Sequence, residues 1–143
     1  MRRSAVFTLF AALLACGAGA QTLGGRVEAQ ASAAPATVRS FANYSVRSLR
    51  TADATEVREY VAPSGVIFGL SWQGPRLPDL KQYLGTRFAA FQAAVAQNPR
   101  RRGPLYVHLG TLVVENGGQM RALHGRAFLT DALPAGVTAA VIQ

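Results

Sequence analysis

The clearest helical period in this chain lies in one segment, and the stretches on either side of it read as strands. Between Pro78 and Gln97 the apolar residues Leu80, Leu84, Phe88, Phe91 and Val95 recur at steps of three and four, which puts them on one face of a helix. Pro78 suits a first helical turn and Asp79 complements the helix dipole. Gly85 costs that helix about 1 kcal/mol relative to Ala and is expected to allow a close approach to the sheet. Asn98-Pro99 stops it, and Arg100-Arg101-Arg102-Gly103-Pro104 follows as a basic loop. A single amphipathic helix has to bury its stripe against something else. Here that partner is a sheet.

The strand signals come in two groups. Residues 44–50 alternate, residues 55–61 read as a second strand, and Pro63-Ser64-Gly65 turns the chain into the apolar run 66–72. After the helix, residues 105–109 and 111–115 are strand-like around Gly110, either as two short strands or as one with a kink. Asn116-Gly117-Gly118 reads as a tight turn, and Gln119 to Phe128 as the returning strand. The expectation is an α+β domain: an antiparallel sheet of about five strands packed on one main helix, in the order β-β-β-α-β-β.

That domain is expected to occupy residues 43–143. Residues 21–42 are rich in Ala, Ser, Thr, Gln and Gly and read as a flexible leader, in which Leu23-Gly24-Gly25 is the one feature able to dock. Residues 1–20 read as a signal peptide. Arg2-Arg3 is followed by the uncharged run Ala5–Ala15 and by Ala18-Gly19-Ala20, which places the cut between Ala20 and Gln21. The run is shorter than the roughly 20 apolar residues a membrane-spanning helix needs, and no later stretch is longer, so no transmembrane helix is expected in the mature form. The expected location is the periplasm. Leu13-Leu14-Ala15-Cys16 also resembles a lipobox, and lipidation at Cys16 would make the chain an outer-membrane lipoprotein instead. Cys16 is the single cysteine, so the mature chain contains no disulfide.

Several of these residues are familiar together. Arg58-Glu59-Tyr60-Val61, Pro63 to Phe68, Trp72-Gln73-Gly74-Pro75, Leu77-Pro78-Asp79-Leu80, Leu84-Gly85, Val113 to Ala122, Gly125-Arg126-Ala127 and Leu133 to Val137 resemble an uncharacterised family of small exported proteobacterial proteins, a domain of unknown function. The resemblance covers most of the chain from about residue 55. Leu23-Gly24-Gly25 resembles the family's mature start. The resemblance implies a Gram-negative envelope setting and carries no chemistry.

No catalytic constellation stands out, and no catalytic residue, metal site or cofactor is assigned. His108 and His124, with Glu115, lack the spacing of a metal site. Ser64 sits in a turn rather than on a strand-to-helix elbow. A hydrolase-like enzyme drawing on Glu59, Glu115 or Asp79 is the alternative to a binding or structural role. The residues singled out for binding are Trp72, Gln73, Arg121, His124 and Arg126. Trp72 is either a recognition aromatic or a core residue. Arg121 and Arg126, with Arg58, suggest an anion-binding face, although the first two are an odd number of residues apart and point to opposite faces of one regular strand. The chain carries +8, which suits an envelope protein, an anionic lipid or an acidic glycan as partner. Export and the missing aromatic platform argue against nucleic acid.

Overall fold

The computed structural model describes residues 21–27, 35–97 and 103–143. The expected signal peptide, Cys16 and the triplet Arg100-Arg101-Arg102 lie outside the described residues. Seven strands form one antiparallel sheet: β1 (Thr37–Ser40), β2 (Ser45–Arg50), β3 (Glu56–Val61), β4 (Ile67–Gly74), β5 (Leu105–Leu109), β6 (Leu112–Gln119) and β7 (Ala122–Leu129). Their spatial order is β1-β2-β3-β4-β7-β6-β5. Between β4 and β5 lie α1 (Leu80–Leu84), a 3-10 turn (Gly85–Arg87) and α2 (Phe88–Ala96).

The helical segment covers one face. Asp79 caps α1 through Oδ1, which accepts from the backbone N–H of Lys81 at 3.0 Å and of Gln82 at 3.3 Å. Gly85 adopts a φ of 55°, which ends α1, and it lies against Thr22 rather than against the sheet. Leu80, Leu84 and Phe91 are buried, with Phe88 and Val95 packed beside them, so the stripe expected from the periodicity is the stripe that meets the core. Opposite it stand Val57, Leu70, Trp72, Val114, Ala127 and Leu129. Trp72 pairs with Gly125 across the β4–β7 ladder. A Cβ on Gly125 would fall 2.4 Å from the indole, so glycine is what lets the ring lie flat on β7. The indole Nε1 donates to Asn116 Oδ1 at 3.2 Å, which satisfies the one polar atom of a side chain only 3 % exposed.

The helix face also holds an ion pair. Arg47 and Glu59 are cross-strand partners, both buried, with Nη1 3.4 Å from Oε2. Burial pushes the Glu59 carboxyl up from its ordinary 4.5, and Arg47 offsets part of that rise. Arg47 also donates to Gln21 Oε1. Segment 21–27 is thereby built into the fold: Leu23 is buried, its N–H donates to the Tyr83 carbonyl at 2.8 Å, and Arg26 bridges to Val66.

A different cover lies on the opposite face. β4 carries one extra residue where the pairing steps from Tyr60–Gly69 to Val61–Ile67. Phe68 therefore joins Val46, Tyr60, Val113 and Phe128 in a second cluster. The segment after β7 folds back over this cluster with Ile142 fully buried at its centre. A Cβ on Gly69 would lie 2.5 Å from Ile142 Cδ1, so this glycine is the socket for the tail.

Three expectations need correction. The sheet has seven strands, not about five, and the helix follows four strands rather than three. β1 arises inside the segment read as leader. All four of its residues are exposed and it joins the sheet through backbone pairing with β2, so it carries no burial pattern to read. β5 and β6 are separate strands joined at Gly110-Thr111. Asn116-Gly117-Gly118 is not a turn but part of the second half of β6, and the chain reverses at Met120-Arg121. Gly118 is needed for a close approach instead, since a Cβ there would lie 2.2 Å from the Ala122 carbonyl oxygen.

Gly125→Ala is expected to cost about 1–3 kcal/mol in a urea or guanidinium titration. Glu59 gives a pH signature. A carboxyl whose folded value is raised contributes stability that is full below 4.5 and is lost as pH rises through the folded value. Wild type should therefore lose stability relative to Glu59→Gln as pH rises above 4.5. Parallel pH profiles for the two proteins would contradict that assignment.

Candidate functional site

Register alone sets out the candidate site. On the tail-covered face, cross-strand partners line up in rows running across the sheet. One row reads Arg58, Ser71, Arg126, Glu115, Tyr106 from β3 to β5. The next row outward reads Glu56, Gln73, His124, Gly117. The row inward is Tyr60, Gly69, Phe128, Val113, His108, most of it lying under the tail. A trough of about 460 Å³ runs over the first two rows, with Ile142 and Gln143 at one side and Pro104 and Leu105 at the β5 end.

The arginine row serves the tail. Arg126 grips Glu115 through two bonds, Nε to Oε2 at 2.7 Å and Nη2 to Oε1 at 3.2 Å. Its Nη1 donates to the carbonyls of Ala139 at 3.1 Å and Ile142 at 3.5 Å, and the guanidinium lies 5.6 Å from the Phe128 ring centroid. Arg58 pairs with Glu56 at 2.8 Å and donates to the Gln143 main-chain oxygen at 2.9 Å. Tyr60 Oη and Ser71 Oγ donate to that same oxygen at 2.9 and 2.8 Å. The Glu56 hydrogen bond raises the Arg58 guanidinium further above its ordinary range, against a smaller opposing effect of burial. Each guanidinium in the trough is thus matched by a carboxylate, and the trough is electrically balanced.

The open row holds what remains. Gln73 and His124 are exposed partners across the β4–β7 ladder. Across from His124, Gly117 leaves a gap: a Cβ there would be 3.4 Å from His124 Nε2 and 3.7 Å from Pro104. Tyr106, half exposed, ends the neighbouring row.

Of the five binding residues read from the sequence, Gln73, His124 and Arg126 converge here with their side chains on one face. Trp72 contributes to the lining but commits its indole to the helix-side core. Arg121 sits at the exposed β6–β7 turn with a φ of 66°, away from the trough. His108 lies two rows from His124, and among the described residues no three His, Cys, Asp or Glu side chains gather as a metal cluster would require. Sequence reasoning missed Tyr106, Glu56 and the tail. Only the pairing register could have placed Tyr106 beside Glu115.

Residues 18–142 match a family described as protein of unknown function, DUF2844. The chain belongs to that family. No curated protein and no solved structure matches it. The family match takes in the docked segment 21–27 and β1 as well as the trough and most of the tail, so the DUF2844 unit is wider than the domain expected from residue 43.

Arg126→Gln removes two charge-assisted contacts to the tail, each worth about 1.5–3 kcal/mol. Amide exchange at Val141, Ile142 and Gln143 is expected to accelerate by about tenfold or more while the β2–β3 ladder keeps its protection. Unchanged exchange in the tail would show that apolar packing of Ile142 alone seats it.

Proposed function

We propose that this chain is exported to the periplasm of a Gram-negative cell, is cut after Ala20, and works there as a non-catalytic binding domain whose trough takes a strand of an acidic envelope glycan. The carrying observation is the open row itself. Gln73, His124 and Glu56 offer donors and acceptors side by side, and the half-exposed Tyr106 ring stands at the β5 end of the same trough. Hydroxyl-rich rings need groups that both donate and accept, and an aromatic face packs against their C–H surfaces. From β3 to β5 the trough crosses five strands, about 19 Å at the usual strand spacing, which suits a linear chain better than a compact ligand. With Arg2 and Arg3 removed by the cut, the net charge falls from +8 to +6, which still draws an acidic polymer to the surface, while the balanced trough reads its sugar rings. Among the described residues no helix is long and apolar enough to cross a membrane.

The hydrolase alternative gains Glu56 and Glu115 beside His124 but loses its combination of carboxylates. Glu59 is buried on the opposite face and Asp79 caps α1. Both oxygens of Glu115 already accept from Arg126, so neither is placed to donate a proton to a leaving group.

Titration calorimetry with acidic envelope oligosaccharides, against neutral dextran, tests the reading. His124→Ala, Tyr106→Ala and Gln73→Ala are each expected to weaken binding by about tenfold with no loss of thermal stability. No new reducing ends are expected to form. Absence of binding at low salt, or variants that bind like wild type, would remove this function.

A further inference from the structure

Gln21 occupies an unusual place for a residue at a cleavage site. Two residues later Leu23 is 1 % exposed, with its N–H on the Tyr83 carbonyl and its own carbonyl accepting from Arg87 Nη1 at 3.0 Å. Gly24 N–H and Gly25 O bond to Ile67 on β4 at 2.8 and 2.9 Å. Residue 21 is therefore held at the helix face, not carried on a loose arm. Its amide is divided in use. Oε1 accepts from Arg47, a residue itself only 8 % exposed, whereas Nε2 is buried with no hydrogen-bond partner among the described residues. A buried donor left unmade is a rare feature of a native fold and calls for a physical cause.

The chemistry of an N-terminal glutamine supplies one, given the cut after Ala20 proposed above. We propose that the mature chain begins with a pyroglutamyl residue formed from Gln21. The freed α-amino nitrogen attacks Cδ of its own side-chain amide. A C–N bond closes a five-membered lactam, the Cδ–Nε2 bond breaks, and the nitrogen leaves as ammonia. No oxidant, reductant or second substrate takes part. The atom expelled is the one left without a hydrogen-bond partner among the described residues. The atom kept is the carbonyl oxygen, which remains an acceptor for Arg47. The lactam nitrogen is uncharged, so the reaction also removes an α-ammonium that would otherwise sit on the residue Arg47 contacts, where two cations in a water-poor site repel. Ring closure precedes the docking of Leu23, while the side chain can still fold back on its own amine.

The test uses the full chain expressed with its own leader in a Gram-negative host and extracted directly into acid, which stops cyclisation during handling. Peptide mass spectrometry is expected to find an N-terminal peptide starting at residue 21, lighter by one ammonia, blocked to Edman degradation and opened by pyroglutamyl aminopeptidase. A peptide starting at Gln21 with a free amine and full mass would overturn the modification and leave the export reading standing. A peptide starting at Met1, or at a modified Cys16, would remove the cut on which the inference rests.

Discussion

A sheet of seven antiparallel strands presents two faces, and the helical segment between β4 and β5 shelters one of them. Val46, Tyr60, Phe68, Val113 and Phe128 on the other side still have to leave water. They do so because Arg126 fastens the segment after β7 across them, with Glu115 holding the guanidinium in place and the carbonyls of Ala139 and Ile142 receiving its remaining donors. The socket at Gly69 accepts Ile142 only if the tail is held in that register. Arg58, Tyr60 and Ser71 complete the hold on Gln143. Polar groups do the positioning here and apolar groups supply most of the driving force, because ion pairs at partial exposure contribute little by themselves.

The trough follows from where that cover stops. The tail shields the apolar row and engages the arginine row, and the row of Glu56, Gln73 and His124 is left in the open. A groove formed in this way is lined on one side by groups that hold the tail and on the other by the exposed Gln73 and His124, with Glu56 paired to Arg58. It is also shaped by an omission, since Gly117 contributes no side chain across from His124. Binding sites on rigid strands of this kind need little rearrangement to receive a ligand.

Much of this was legible in the residues. The stripe Leu80, Leu84, Phe88, Phe91, Val95 located the helix and its buried side, because a period of 3.6 survives in any context that keeps one face dry. The strand at 44–50 was visible by alternation, and the one at 66–72 as an apolar run after the turn Pro63-Ser64-Gly65. β1 was not, because its four side chains are all exposed and backbone pairing leaves no mark on composition. Asn116-Gly117-Gly118 misled for a definite reason. The pattern of a reversal and the pattern of a strand that must admit neighbouring backbone, a histidine ring and an indole partner use the same small residues. Gln73, His124 and Arg126 were identified singly, but their convergence needed the β4–β7 register, which depends on residues far apart in the chain. Tyr106 and the tail lay beyond reach for the same cause.

The strand order has one more consequence, for how the chain reaches this state. β1 to β4 form a meander in which each strand pairs with the next, and β5 to β7 form another. These pairings join near neighbours and close short loops. The seam between β4 and β7, where Gly69 meets Phe128, is the one ladder that spans the whole helical segment. Loop-closure entropy is thus concentrated in a single pairing, and that pairing also sets Trp72 on Gly125 and aligns Ser71 with Arg126. The two halves can each take shape early and locally. Both cores, and the ground on which the tail settles, come into being together when that seam closes.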